Sequence, residues 1–139
     1  MKKDMEIKYN IELNRRMKDL PDFATGFIQS LEESNSIRTR IAYCKDLSIY
    51  LRFLLDELKI SPKKAIVDLT VDDIKDIEEK DIRSYLNYLN YYTVEYKTRG
   101  GKTVKQTYSN SQQGKNRKIA TLRTMYNYLS RVYGLTDPT

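Results

Sequence analysis

The feature that most constrains the fold is a helical repeat of apolar residues over 36–55. Ser36 can cap the first turn of a helix. Apolar side chains then recur every three or four residues, at Ile37, Ile41, Cys44, Leu47, Leu51, Leu54 and Leu55. Because this spacing puts them on one face of an α-helix, the segment predicts a helix over 36–55 that packs into a core.

A line of cations runs beside that apolar face. Arg38, Lys45 and Arg52 are each seven residues from the next, so they lie almost directly above one another on a helix. We interpret this stripe as a candidate contact surface.

The segment GKNRKIATLRTMYNYLSRVYG predicts a second long helix, over 114–133. Its apolar side comprises Ile119, Leu122, Met125, Tyr126 and Leu129. The opposite side is polar or small, with Arg117, Ala120, Thr124 and Asn127, flanked by Thr121 and Arg123. Gly134 is a suitable C-terminal stop.

Several shorter helices are also predicted. Pro21 suits the first turn of a helix, and Phe23, Phe27 and Leu31 follow at helical spacing. Thr70 and Asp73 have the spacing of a capping box. A short helix is predicted near 62–67, a loop with one turn of helix near 71–76, and a helix over about 79–91. Residues 1–19 are expected to be a charged tail or an extra helix.

Residues 93–113 break the helical pattern. Two β-prone runs, 93–96 and 103–108, flank a turn signal at Gly100 and Gly101. A small hairpin and a mobile loop are both compatible with this pattern. The fold class is therefore predicted as an all-α bundle of four or five helices, with one small insertion.

Charge is distributed unevenly along the 139 residues, which carry a net charge of +6. Between residues 96 and 136 there is no acid, whereas the cations are Lys97, Arg99, Lys102, Lys105, Lys115, Arg117, Lys118, Arg123 and Arg131. The segment 68–81 is instead rich in Asp and Glu. This distribution predicts a molecule with one basic and one acidic side.

The residue inventory excludes several kinds of chemistry. The chain has no histidine and one cysteine, Cys44, so zinc clusters and catalytic triads that use histidine are excluded. Asp72, Asp73 and Asp76 lack the alternating pattern of a calcium loop, so we interpret them as a solvated face. No enzymatic activity, cofactor, metal or small-molecule substrate is expected, and Cys44 is predicted to be a buried, inert thiol.

The N-terminus lacks the apolar run of a signal peptide, and no stretch reaches the length of a membrane span. With a single cysteine, the expected compartment is the reducing cytoplasm, and no membrane partner is expected.

The cationic face of helix 114–133 favours a polyanionic partner. Cations on a helix usually pair with acids one turn away, but here those acids are missing. DNA offers a phosphate about every 3.4 Å of each strand. Ala120 permits close approach and Asn127 can hydrogen bond to bases or phosphates, so the face suits a major groove better than a membrane surface.

Two stretches resemble the N-terminal core-binding domain of the tyrosine recombinases, the phage integrase family, in a Xer-like form. SNSIRTRIAYCKDLSIYLRFL, residues 34–54, resembles the family's first conserved helix, S-x-x-T-x-x-x-Y-x-x-D-L. The matching positions are Ser36, Thr39, Tyr43, Asp46 and Leu47.

The second stretch, KNRKIATLRTMYNYLSRVYGLTDPT, resembles the last helix of that domain and its exit. The matching positions are Arg117, Ile119, Ala120, Leu122, Arg123, Tyr126, Tyr128 and Leu129, followed by Asp137 and Pro138. EEKDIRSYLNYL is similar to an intermediate helix of the family. Gly114 departs from the Ser or Thr that commonly caps the last helix, and the insertion at 93–113 is longer than in compact members.

The resemblance implies a SAM-like helical bundle spanning 20–136, with 137–139 beginning a linker to an absent catalytic domain. It implies that helices 36–55 and 114–133 clamp a recombination site through the major groove of double-stranded DNA. The matching DNA-facing positions are Thr39, Ala42, Lys45, Arg117, Thr121 and Arg123. Helical geometry adds Arg38, Lys115, Asn116 and Lys118.

The resemblance also implies that the nucleophilic tyrosine belongs to the absent domain, and that other recombinase protomers are partners in a tetramer on DNA. One alternative is a helical protein-interaction module whose basic face binds an acidic partner. Another is a small helix-turn-helix regulator, which the separation of about 60 residues between the two basic helices disfavours.

Overall fold

The computed structural model describes residues 2–139, which form a mainly helical fold with one small sheet. The elements are α1 (Lys2–Met17), α2 (Asp22–Ser30), α3 (Ile37–Asp56), a 3-10 helix (Ile66–Asp68), α4 (Val71–Ile74), α5 (Glu79–Tyr88), β1 (Tyr92–Lys97), β2 (Thr103–Tyr108) and α6 (Gln112–Tyr133). The mainly helical class is confirmed, although there are six α-helices instead of four or five. Within residues 2–139, no helix has both the length and the apolar character needed to cross a membrane.

Helix α3 is the centre of the fold. The hydroxyl of Ser36 accepts a hydrogen bond from the Thr39 N–H at 3.1 Å, which confirms the predicted cap. The apolar repeat is buried from Ile41 to Leu55, and α3 packs against α1, α2, α6 and the 3-10 helix. The local periodicity thus correctly predicted the element around which the others assemble.

The N-terminal segment is an extra helix and not a tail. Leu13 of α1 is buried, and Tyr9 and Met17 pack against the core beside α3. The guanidinium of Arg38 lies 5.8 Å from the centre of the Tyr9 ring, within range of a cation–π contact.

Part of the acidic segment is explained by helix capping. Asp73 accepts hydrogen bonds from the backbone N–H and the hydroxyl of Thr70, at 2.8 and 3.1 Å, which confirms the capping box predicted there. Asp81 accepts from the Glu78 N–H at 2.9 Å in a second box at the start of α5. Carboxylates at these positions also interact favourably with the positive end of each helix dipole.

Two predicted boundaries were wrong. The Ser61 hydroxyl accepts from the Lys63 N–H, two residues on, which makes a turn and not a cap, so the only helix near 62–67 is the 3-10 helix. Helix α5 ends at Tyr88 and not near 91, because the Asn110 backbone and side chain both donate to the Leu89 carbonyl, at 3.1 and 3.0 Å.

The insertion is a β-hairpin. β1 and β2 pair antiparallel from Tyr92 opposite Tyr108 to Lys97 opposite Thr103. Gly101 has φ +78° in the turn, a conformation that glycine adopts without steric cost. Of the two alternatives left open by the sequence, the structure has the hairpin.

Helix α6 begins earlier than predicted. The Ser111 hydroxyl accepts from the Gly114 N–H at 3.1 Å, so the cap is Ser111 and the helix includes Gly114. Gly134 ends the helix with φ +70°, as predicted. All five residues of the predicted apolar side are buried.

A pair of tyrosines links α3 to α6 inside the core. The hydroxyls of Tyr50 and Tyr126 lie 2.5 Å apart, and both side chains are fully buried. Burial raises the pKa of both phenols. One hydroxyl therefore donates to the other, so each has a hydrogen-bond partner inside the core.

We expect Tyr126→Phe to lower the free energy of unfolding by about 1–3 kcal/mol, because it leaves the Tyr50 hydroxyl buried without this partner. The double variant Y50F/Y126F should cost less than the two single changes together. Urea unfolding measures all three, and Tyr133→Phe, on an exposed ring, is the control. Strict additivity would show that the hydroxyl pair is not coupled.

Candidate nucleic-acid interface

Helices α3 and α6 meet at the carboxylate of Asp46. Its two oxygens accept hydrogen bonds from the Thr121 hydroxyl at 2.9 Å and from the Arg117 guanidinium at 3.1 Å. Asp46 is 3% exposed, whereas the Arg117 side chain is 57% exposed. The ion pair therefore joins a buried anion to a cation at the protein surface.

The electrostatics of Asp46 reflect two opposing effects. Burial raises the pKa of its carboxyl, and the Thr121 hydrogen bond and the charge of Arg117 oppose part of that rise. Lys118 and Lys45 also contribute positive potential there. A buried carboxylate is costly unless it is paired, so this contact adds to the apolar packing that orients α6 against α3.

That orientation turns the polar side of α6 outward. The exposed or partly exposed residues of this face are Gln113, Asn116, Arg117, Ala120, Arg123, Thr124, Asn127 and Arg131. The face contains no acid, and Arg123 and Arg131 form no salt bridge among residues 2–139. We call it the α6 polar face.

The neighbouring surface of α3 carries the other predicted residues. Arg38 and Lys45 are exposed, and Thr39 and Ala42 are half-buried. The Thr39 side chain accepts a hydrogen bond from the Ser36 hydroxyl at 3.0 Å. Arg52 forms a salt bridge of 3.7 Å with Asp56, so only two of the three cations in the stripe lack an acidic partner.

Besides Arg117 and Thr39, three predicted DNA-facing residues are engaged within the protein. Thr121 is 1% exposed and donates to Asp46, and Lys118 is 7% exposed and donates to the Asn110 side chain at 2.7 Å. Their expected positions on the open basic face were wrong. Lys115 is half-buried, and its ammonium donates to the Asn90 side chain at 2.6 Å.

Helical spacing could have shown the burial of two of these residues. Lys118 precedes the buried Leu122 by four residues, and Thr121 precedes the buried Met125 by four, so both lie beside the apolar side. The aliphatic stem of Lys118 covers apolar surface while its ammonium reaches Asn110. Burial lowers the pKa of Lys118.

Sequence reasoning missed the structural role of Asp46. No residue near Asp46 in the chain indicates that its carboxylate joins two helices. Its two donors lie more than 70 residues further along the chain. The residues that the structure brings together at this contact are Asp46, Lys45, Arg117 and Thr121.

The remaining reactive groups lie outside this surface. Cys44 is buried, and burial raises its pKa to about 11, so the thiol is held in its unreactive protonated form. Among residues 2–139, no group of three His, Cys, Asp or Glu side chains could hold a metal ion.

Comparisons with known proteins give no relative for this chain. It matches no protein-family model, no curated protein sequence and no solved structure at a significant level.

The raised pKa of Asp46 predicts how stability depends on pH. The folded state holds this proton more tightly than the unfolded state, so the stability of the wild type relative to Asp46→Asn is highest at low pH. This stability advantage should be lost as the pH rises through the raised pKa of Asp46. The total loss should be about 1.4 kcal/mol for each unit by which folding raises that pKa.

Urea unfolding of both proteins between about pH 3 and pH 7 tests this. Thr121→Val, which removes one hydrogen bond that lowers the pKa of Asp46, should extend the fall to higher pH. If the stability of the wild type relative to Asp46→Asn grows with pH, the pKa of Asp46 is not raised.

Proposed function

We propose that this chain is a DNA-binding domain whose contact surface combines the α6 polar face with Arg38, Thr39, Ala42 and Lys45 of α3. It is a SAM-like core-binding domain of a tyrosine recombinase or integrase, which holds double-stranded DNA while a separate catalytic domain cuts and rejoins strands. The observation that carries the proposal is the crossing of α3 and α6 at Asp46, since it joins the two cationic surfaces.

The charge of this surface supports a polyanion. Arg38, Lys45 and Arg123 are exposed and form no salt bridge among residues 2–139. Arg117 is paired with Asp46 but keeps more than half of its side chain exposed. Several cations on one surface, without acids between them on α6, favour contacts with phosphates.

The shape of the α6 polar face supports a nucleic acid over a lipid surface. Exposed Ala120 leaves room for close approach, and Asn116 and Asn127 offer amide groups to base edges or phosphates. The apolar side of α6 is buried in the core. A helix bound at a lipid surface would instead need that apolar side free.

The Asp46 contact also supports the assignment to this family. Asp46 and Arg117 belong to the two stretches that resemble the recombinases, and their side chains meet at 3.1 Å. Two motifs more than 60 residues apart are thus joined at one point of the fold. By the resemblance, the nucleophile would be a tyrosine of the second domain, and none of the tyrosines here serves that role.

Binding of a labelled duplex at several salt concentrations, followed by fluorescence anisotropy, tests the proposal. The test variant is R38Q/K45Q/R123Q. Arg117 is left unchanged, because its loss would remove a donor from buried Asp46. If all three cations contact phosphates, the slope of log affinity against log salt should fall by about 2.7 units, at about 0.9 per contact.

The matched control is K59Q/K64Q/K80Q, which removes the same charge from exposed lysines outside the α3 and α6 surfaces. It should bind like the wild type. If the control and test variants weaken binding equally, the attraction is diffuse and the proposed surface is wrong. If the wild type does not bind the duplex at low salt, an acidic protein partner becomes the better explanation of the α6 polar face.

A further inference from the structure

The β1–β2 hairpin is an arm anchored at its base. Asn110, just after β2, donates twice to the Leu89 carbonyl at the end of α5. The same side chain accepts from Lys118 of α6 at 2.7 Å, and Lys115 of α6 donates to Asn90 at 2.6 Å. Both ends of the hairpin are therefore joined to the first turns of α6.

A row of aromatic rings also supports the base. Phe53 of α3 lies 4.9 Å from Tyr88, Tyr88 lies 4.9 Å from Tyr92, and Tyr92 lies 5.3 Å from Tyr108, measured between ring centres. Both contacts of Tyr92 are stacked, with interplanar angles of 20°. Because the row continues from the core into both strands, it restricts the direction of the hairpin.

The far end of the hairpin is cationic. Lys97, Arg99 and Lys102 surround the turn, are exposed, and form no salt bridge among residues 2–139. Glu95, the single acid in the hairpin, lies 3.6 Å from Lys105 on the paired strand. The positive charge of the tip is thus not neutralised within the hairpin.

The backbone of the turn is accessible as well. A Cβ added to Gly101 would meet no atom within 4 Å, and one added to Gly100 would meet only the Thr98 hydroxyl, at 3.9 Å. The Gly101 N–H bonds to the Thr98 carbonyl at 3.0 Å, and the Thr98 N–H bonds to the Lys102 carbonyl at 2.9 Å. The tip is a closed, hydrogen-bonded turn that a phosphate backbone could approach closely.

The arm is longer than the major groove of a duplex is wide. Six residues per strand give about 20 Å from base to tip at about 3.4 Å per residue. The major groove is about 12 Å wide and admits a two-stranded ribbon. An arm that starts beside the first turns of α6 can reach phosphates beyond the groove that α6 would occupy.

We propose that the hairpin tip, Lys97 to Lys102, is a second DNA contact that binds backbone phosphates outside the α3 and α6 surface. This inference rests on the proposed function. Lys115 and Lys118, which the sequence placed on the DNA, instead contribute by fixing the base of this arm.

A protein partner is the rival occupant, and it would use a different side of the hairpin. Val94, with Ile49 and Ile66, borders an open apolar groove of about 500 Å³ beneath the arm. The charged side chains that line that groove are of both signs and favour no particular partner, whereas the unpaired cations of the tip match a polyanion. The observations therefore favour DNA.

The binding test compares the wild type with K97Q/R99Q/K102Q on a duplex of about 30 base pairs, roughly three helical turns. If all three cations contact phosphates, the salt slope should fall by about 2.7 units. K59Q/K64Q/K80Q is again the charge-matched control, and circular dichroism should show unchanged folding in every variant.

A crosslink locates the contact directly. Cys44 is buried, so Thr98→Cys at the exposed tip would supply the one accessible thiol for a photoactivatable label. The label should crosslink to the duplex from residue 98. The same label on Ser84→Cys, exposed on α5, should not crosslink.

The outcomes separate the two proposals. If the wild type binds through Arg38, Lys45 and Arg123, but the tip variant keeps the wild-type slope and residue 98 gives no crosslink, the hairpin inference is wrong and the proposed function stands. If only the tip variant loses binding, the hairpin carries the contact and the α3 and α6 surface does not. If the wild type binds no duplex at low salt, both proposals fail.

Discussion

The orientation of the basic surface depends on one buried carboxylate. Asp46 projects from α3 into the contact with α6, where burial of its charge is costly unless donors meet both oxygens. Thr121 and Arg117 supply those donors, and they lie one turn apart on the same side of α6. A rotation of α6 about its axis would break both bonds, so the contact adds to the burial of the apolar side of α6 in keeping Ala120 and Arg123 outward.

Much of the chain's charge is used inside the fold. Lys115 and Lys118 bond to asparagines at the base of the hairpin, and Asp73 and Asp81 cap short helices. The net charge of +6 therefore says little about where an anion could bind. The cations left without acidic partners define two separate surfaces, one on α3 and α6 and one at the hairpin tip. Residues of α6 hold both surfaces in place.

Most elements that depend on local sequence were predicted well, apart from the helix starts near Ser61 and Ser111. The cap at Ser36, the stop at Gly134 and the box at Thr70 are each decided by a few neighbouring residues. The apolar periods of α3 and α6 were also sufficient, because a helix needs only one continuous apolar face to pack. Of the cations predicted for the candidate site, Arg38, Lys45, Arg117 and Arg123 are exposed, whereas Lys115 is half-buried and Lys118 is buried.

The sequence alone thus determined a mainly helical chain with two long amphipathic helices and a basic second half. Tertiary structure decided the rest: that the insertion is a supported hairpin, that α5 ends at Tyr88, and that Thr121 bonds to Asp46 of another helix. Each of these depends on partners far away in the chain, such as Asn110 with Leu89 and Thr121 with Asp46. Local periodicity contains no information on such pairs, because they form only when packing brings distant segments into hydrogen-bonding distance.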